Sequence, residues 1–250
     1  MTAKIITIAI QKGGTGKTTT VASMAAGLTE RNFKVLCIDL DPQCNLSRYF
    51  RAEPVVKTGD ILTGKEDIKK GILTSPYAAI LPGDKELYNY TIEQLPANAL
   101  KKAIAPIVKY FDYIIIDTPP SIGVALKNVL AMADYIVIPV EESGWALDGL
   151  MDFAHAIELA QDNNEKLSVA GILTIKAKAN TKKSSRMADL ASSIAEKLGS
   201  TRFETMIRES VACAEALTEY YVPLHEYAPK GNTTLDYREF VNELEARING

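Results

Sequence analysis

Apolar residues along the chain fall into two alternating patterns. Short runs rich in Ile, Val and Leu at residues 5–10, 34–39, 77–81, 112–117, 135–140 and 168–175 read as strands. Between and after them, over 17–31, 95–110, 121–132, 146–161, 184–198, 211–219 and 235–248, apolar positions recur at the three- and four-residue spacing of helices with one buried face. Runs such as Tyr113-Ile114-Ile115-Ile116 and Tyr135-Ile136-Val137-Ile138 are apolar almost throughout, as expected of strands covered by helices on both sides of a parallel sheet. The alternation predicts an α/β fold with a doubly wound, mostly parallel sheet. At 250 residues the chain can form one core, and a single domain over 1–250 is expected.

Ligands of such sheets bind where the strands end, so the residues after each strand carry the chemistry. After the first comes Gln11-Lys12-Gly13-Gly14-Thr15-Gly16-Lys17-Thr18-Thr19, followed by a helical pattern. Strand, glycine loop and helix in that order form a phosphate cradle. Backbone N–H groups close around the anion, Lys17 adds charge, the helix start adds its dipole, and Thr18 is the expected Mg²⁺ ligand. The strict phosphate-loop pattern has glycine where this chain has Gln11, and a second lysine, Lys12, precedes Gly13. The second strand ends in Asp39-Leu40-Asp41-Pro42-Gln43, and the fourth in Asp117-Thr118-Pro119-Pro120-Ser121. Carboxylates beside a polyphosphate are reasonable when Mg²⁺ lies between them. The competing readings are a helix cap for Asp117 and a plain turn for Asp41. Ser121 is expected to provide the cap instead, with the helix running behind it.

Composition narrows the classes. With 47% hydrophobic and 24% charged residues, the chain is an ordinary globular protein rather than a disordered or fibrous one. Cys37, Cys44 and Cys213 form no CxxC pair, which points to reduced thiols and a cytoplasmic setting. No secretory leader is expected, and no apolar stretch approaches the roughly 20 residues of a membrane-spanning helix. His155 and His225 are isolated and suggest no zinc site.

Lys12 and Lys17 in Lys-Gly-Gly-Thr-Gly-Lys-Thr resemble the deviant Walker A loop of the ParA/MinD family of dimerising ATPases. Asp39-Leu40-Asp41-Pro42-Gln43 resembles that family's switch I, and Asp117-Thr118-Pro119-Pro120 its Walker B and switch II segment. Pro82-Gly83 and the tail from Ile207 through Ala216 also resemble the family, which extends the likeness over the whole chain. The resemblance implies a P-loop NTPase of the small Soj-like type, without an N-terminal helix-turn-helix domain. It implies ATP and Mg²⁺ as cofactors, with residues Lys12, Gly13, Gly14, Thr15, Gly16, Lys17, Thr18 and Thr19 around the phosphates. Thr18 would hold the metal with water-mediated help from Asp39 and Asp117. Lys12, Lys17 and Asp41 would be catalytic: Lys12 would reach across an ATP-bound homodimer, and Asp41 would orient the attacking water. It further implies non-specific double-stranded DNA and a ParB-like centromere-binding protein as partners, in plasmid or chromosome partition, with the ATP-bound form on the nucleoid. The segment from Ile207 to Ser210 would face adenine.

The net charge of −3 gives no global reason for DNA binding, so a local patch must supply it. From Lys166 to Ala188 there is no acidic residue, while Lys166, Lys176, Lys178, Lys182, Lys183 and Arg186 are basic. Such a run is either a solvated face or a surface for phosphate backbones, and Arg208 is a further candidate. Lys176, Lys178, Lys182, Lys183, Arg186 and Arg208 are therefore the expected DNA contacts. The rival from the same family is a MinD-like ATPase that positions a protein complex at a membrane. It would end in a basic amphipathic helix, whereas Phe240, Val241, Leu244 and Ile248 here stand opposite Glu239, Glu243 and Glu245. A core-packing terminal helix is expected. An iron–sulfur reductase lacks its cysteines here, and no motif announces the acceptor pocket of a kinase or ligase.

Overall fold

The computed structural model describes residues 2–90, 95–96, 98–121, 123–141, 147–177 and 182–250, the side chains of 90, 147–150 and 182–188 excepted. Its core is an eight-stranded sheet. The strands are β1 (Lys4–Ile8), β2 (Val35–Asp39), β3 (Leu73–Thr74), β4 (Ala79–Leu81), β5 (Tyr113–Asp117), β6 (Tyr135–Glu141), β7 (Ser168–Ala177) and β8 (Arg202–Arg208). They lie in the order β3-β4-β2-β5-β1-β6-β7-β8, parallel except for the β3–β4 pair.

Side chains alternate across this sheet, and that is why the strand runs are apolar throughout. Leu36, Ile38, Ile114 and Ile116 pack in one cluster, while Cys37, Tyr113 and Ile115 belong to another on the opposite face. The second cluster is completed by α1 (Lys17–Glu30) and by residues of the C-terminal helix Asn232–Asn249. Each fully buried Ile or Leu contributes roughly 1.5–3 kcal/mol relative to exposure, so both covers are needed to hold the central strands.

Connections explain where the sequence reading and the structure part. The short helices α2 (Asn45–Tyr49), α3 (Thr58–Leu62), α4 (Ile68–Gly71) and α5 (Leu87–Tyr90) span little more than one turn, too short for a periodic signal. The helix expected over 95–110 is only α6 (Ala99–Ile104) followed by a 3₁₀ turn, Val108–Tyr110. Pro106 sits between them and cannot donate the N–H that a continuous helix needs. The expected cap at Ser121 is replaced by Gly123, the residue before α7 (Val124–Leu130).

The remaining helices are α8 (Leu147–Gln161), α9 (Lys182–Lys197), α10 (Val211–Glu215), α11 (Leu224–Tyr227) and α12 (Asn232–Asn249), with a π turn, Ala216–Tyr220, after α10. Strand β8 escapes the apolar pattern because it is an edge strand with only alternate residues inward: Phe203 and Ile207 are buried, while Arg202, Glu204 and Arg208 break up the run. On α12, Phe240, Val241, Leu244 and Ile248 are buried as expected. Its carboxylates also hold structure together. Glu243 accepts from the Glu204 and Thr205 amides at 2.9 and 3.0 Å, and Glu245 pairs with Arg31.

Candidate nucleotide site

Strand β1 lies between β5 and β6; the chain leaves it for β2 on one side and later crosses from β5 to β6 on the other. The crevice expected at such a switch point is occupied by the glycine loop. Gly14 and Gly16 have φ of 74° and 64°, the left-handed region that glycine enters without steric cost. Gly16 caps α1 with no side-chain hydrogen bond, so the first N–H groups of the helix stay open to an anion. Within the loop, Lys17 Nζ and Thr15 Oγ1 donate to the Lys12 carbonyl at 2.9 and 3.1 Å.

The two lysines of the loop differ in setting. Lys17 is 7% exposed, and burial lowers its pKa against the opposing pull of Asp117 and Asp41. The Lys12 side chain is 45% exposed, with Glu141 at 3.6 Å.

Asp39 and Asp117 stand side by side at the ends of β2 and β5, in matched register, and both are completely buried. Asp117 Oδ2 accepts from Thr18 Oγ1 at 2.7 Å, while its Oδ1 is buried without a hydrogen-bond partner. Burial, then the charge of Asp39, pushes the Asp117 carboxyl well above the usual carboxylate range. An orphaned carboxylate oxygen next to a threonine hydroxyl is what a hard cation would satisfy. Among the described residues, no group of three His, Cys, Asp or Glu side chains could hold a metal alone. A cation here needs phosphate oxygens as further ligands.

Asp39 is occupied differently. Its Oδ2 accepts from Ser47 N and Ser47 Oγ at 2.9 and 2.7 Å, and its Oδ1 from the Asp41 amide at 3.1 Å. Burial raises its pKa to about 6 against these bonds. Ser47 Oγ also accepts from Gly83 N at 2.9 Å, and a Cβ on Gly83 would stand 3.1 Å from Asp39 Cγ and Asp39 O. Pro82-Gly83 thus closes tightly against the Asp39–Asp41 turn. Asp41 accepts from Gln43 N at 2.9 Å and lines the same cleft as the glycine loop, its pKa raised chiefly by burial.

That cleft, of about 460 Å³, runs from Gly13–Thr19 past Asp41 to Ile207, Ser210, Cys213 and Leu217. One end offers backbone amides and Lys17, and the other carries Ile207 and Leu217 beside Ser210, a combination that suits a phosphorylated ligand with a flat base.

Residues 3–169 match the family described as an AAA domain. Over 97% of its length the chain is 30% identical to the sporulation initiation inhibitor protein Soj of Bacillus subtilis, covering 98% of that protein. It is therefore a ParA/Soj-type ATPase. Solved structures agree with the fold. A plasmid partition protein from Borrelia burgdorferi bound to AMPPNP superposes with a TM-score of 0.78 at 26% identity, covering 99% of this chain and 98% of that one. A cobyrinic acid a,c-diamide synthase from Mycobacterium smegmatis with ADP and magnesium gives 0.84 at 27% identity, covering 99% and 96%.

In this ParA/Soj-type ATPase the described residues of the basic run lie apart. Lys166 precedes β7 and Lys176 lies near its end, so the length of the strand separates them. Lys176 lines the nucleotide cleft. Lys178 lies outside the described residues, as do the side chains of Lys182, Lys183 and Arg186 on α9. Arg208, at the end of β8, forms a fork with Asp236 through Nε–Oδ2 and Nη2–Oδ1 at 2.9 and 2.5 Å. No helix among the described residues is long and apolar enough to cross a membrane. His155 lies exposed beside Glu158, and Cys37 packs inside β2.

Proposed function

We propose that this ATPase binds ATP with Mg²⁺ in the cleft, pairs there with a second copy, holds DNA without reading its sequence while paired, and serves plasmid or chromosome partition with a ParB-like partner. The observation that carries the reading is the division of labour within one loop. Lys17 is buried against its own cleft, while Lys12 stands at the half-exposed mouth, where it can serve a facing copy. The Soj and plasmid-partition relatives support the same direction.

Magnesium would supply charge neutralisation across the phosphates. Thr18 and Asp117 would hold it, with Asp39 beside them. The chain's own groups then do the positioning: loop amides and Lys17 fix the phosphates, and Asp41 orients the attacking water. Lys12 from the facing copy would stabilise charge developing on the transferred group, which makes hydrolysis slow until two chains pair. That slowness suits a switch in which DNA prefers one nucleotide state and the partner ends it.

The test compares the wild type with Lys17→Ala and with Lys182→Ala/Lys183→Ala. Random-sequence duplex binding and molecular mass are followed with ATP, ADP or no nucleotide, at low and high salt. Binding that needs ATP and Lys17, weakens with salt and is lost in the double variant supports the reading. ATP-driven pairing with DNA ignored would favour a protein-positioning ATPase. The burial of Phe240, Val241, Leu244 and Ile248 on α12 speaks against this helix as a membrane anchor.

A further inference from the structure

Lys176 is turned toward the phosphate loop by a local irregularity in its strand. It has φ of +51°, a left-handed conformation uncommon for a residue with a side chain, and the β7–β8 register shifts between Ile175 and Ala177 at the same point. Such a bulge re-aims a side chain. Here it brings Lys176 Nζ to the Gly14 carbonyl, at 2.9 Å, and into an ion pair with Glu141.

Glu141 ends β6, its side chain is 15% exposed, and it also faces Lys12 at 3.6 Å. One carboxylate therefore sits against two of the three lysines surrounding the loop. A carboxylate only accepts, as a phosphate does, so the two anions compete for the same cations.

We propose that Lys176 is a further phosphate-binding residue of the nucleotide cleft, and that Glu141 is its resting counter-ion, released when nucleotide phosphate takes its place. The inference rests on the nucleotide reading above and reassigns Lys176 from the DNA surface to the cleft. Lys176 positions the loop through the Gly14 carbonyl and supplies a cation that is neither Lys12 nor Lys17. Glu141 keeps the site charge-balanced while empty and sets a threshold that a polyphosphate must exceed.

The experiment is equilibrium binding of a fluorescent ATP analogue in the absence of DNA. It compares the wild type, Lys17→Ala, Lys176→Ala, Lys176→Gly, Lys176→Arg, Glu141→Gln and the Lys176→Ala/Glu141→Gln pair. Lys176→Ala is expected to weaken binding roughly ten-fold, the scale of a charge-assisted contact. Lys176→Gly relieves the backbone but removes the charge, so it should be at least as stable as wild type and bind ATP as weakly as the alanine variant. Lys176→Arg should stay close to wild type. Glu141→Gln should tighten binding several-fold, by less when Lys176 is absent. At saturating ATP, Lys176→Ala should recover wild-type DNA affinity.

Unchanged ATP affinity in Lys176→Ala and Lys176→Gly would overturn the proposal, most clearly if DNA binding fell instead. Weaker ATP binding in Glu141→Gln would overturn the counter-ion role. If the wild type and Lys17→Ala both ignored ATP, the nucleotide reading itself would fail, an outcome distinct from either.

Discussion

Asp39 and Asp117 end adjacent strands at matched register, equally buried, yet they are hydrogen-bonded differently. Asp39 accepts at both oxygens, from two groups of Ser47 and from the Asp41 amide. Asp117 is bonded through one oxygen only, with the other left buried and bare. The chain's own donors saturate Asp39, whereas Asp117 keeps one buried oxygen that no protein donor satisfies. Position in a motif does not separate the two; hydrogen-bond saturation does.

The sharpest way to break this comparison is Asp117→Asn. It should lower Mg²⁺-dependent ATP hydrolysis by on the order of a thousand-fold, since a metal site is worth several kcal/mol in such a reaction, and leave the urea midpoint no lower than wild type. Retained hydrolysis would deny Asp117 the metal. Asp39→Ala should show the opposite profile. Its loss strands buried donors on Ser47 and Asp41 and should cost about 2–4 kcal/mol of stability in urea unfolding. A stable Asp39→Ala protein with hydrolysis as low as Asp117→Asn would place Asp39 with the metal and erase the distinction.

Ser47→Ala tests the same network more gently. It removes one donor to Asp39 and the acceptor of Gly83 N, for about 1 kcal/mol in the same measurement, and should barely alter ATP affinity. An affinity loss exceeding the stability loss would show that the Asp39 turn moves with nucleotide.

His225 sharpens the rule from outside the site. Both of its ring nitrogens are buried without hydrogen-bond partners, but it packs beside Gly27 and Glu30 in the C-terminal half of α1, away from the phosphate loop. Burial pushes its imidazole down to about 4, against the opposing charge of Glu30. The ordinary value is near 6.5, so the neutral ring's contribution is complete above that pH and is lost as pH falls toward 4. His225→Gln should therefore lose less stability than wild type between neutral pH and about pH 4.5, with ATP affinity unchanged at neutral pH. An equal loss in both proteins would remove His225 from the acid response.

Much of the site is legible in the sequence because its chemistry is contiguous. The glycine loop, its two lysines and the strand before it lie within Lys4 to Thr19, and they form as expected. Asp39, Asp41 and Asp117 stand out because each lies at or just beyond the carboxyl end of an apolar run. The covered terminal helix is legible from the spacing of Phe240, Val241, Leu244 and Ile248. Charge is a poorer guide. Lys176 and Arg208 read from charge as DNA contacts; in the fold one lies against Glu141 and Gly14 and the other against Asp236.

The sequence by itself determined the alternation of strand and helix, the phosphate loop and the acidic strand ends. These depend on local φ preference and on periodic burial, which neighbouring residues specify. Only the tertiary structure decided which carboxylate is consumed by Ser47 and which stays bare, that β8 completes the sheet edge, and that Lys176 faces the loop. Those outcomes depend on strand register and on pairs distant in the chain, such as Gly14 with Lys176 or Thr18 with Asp117, which no local pattern encodes.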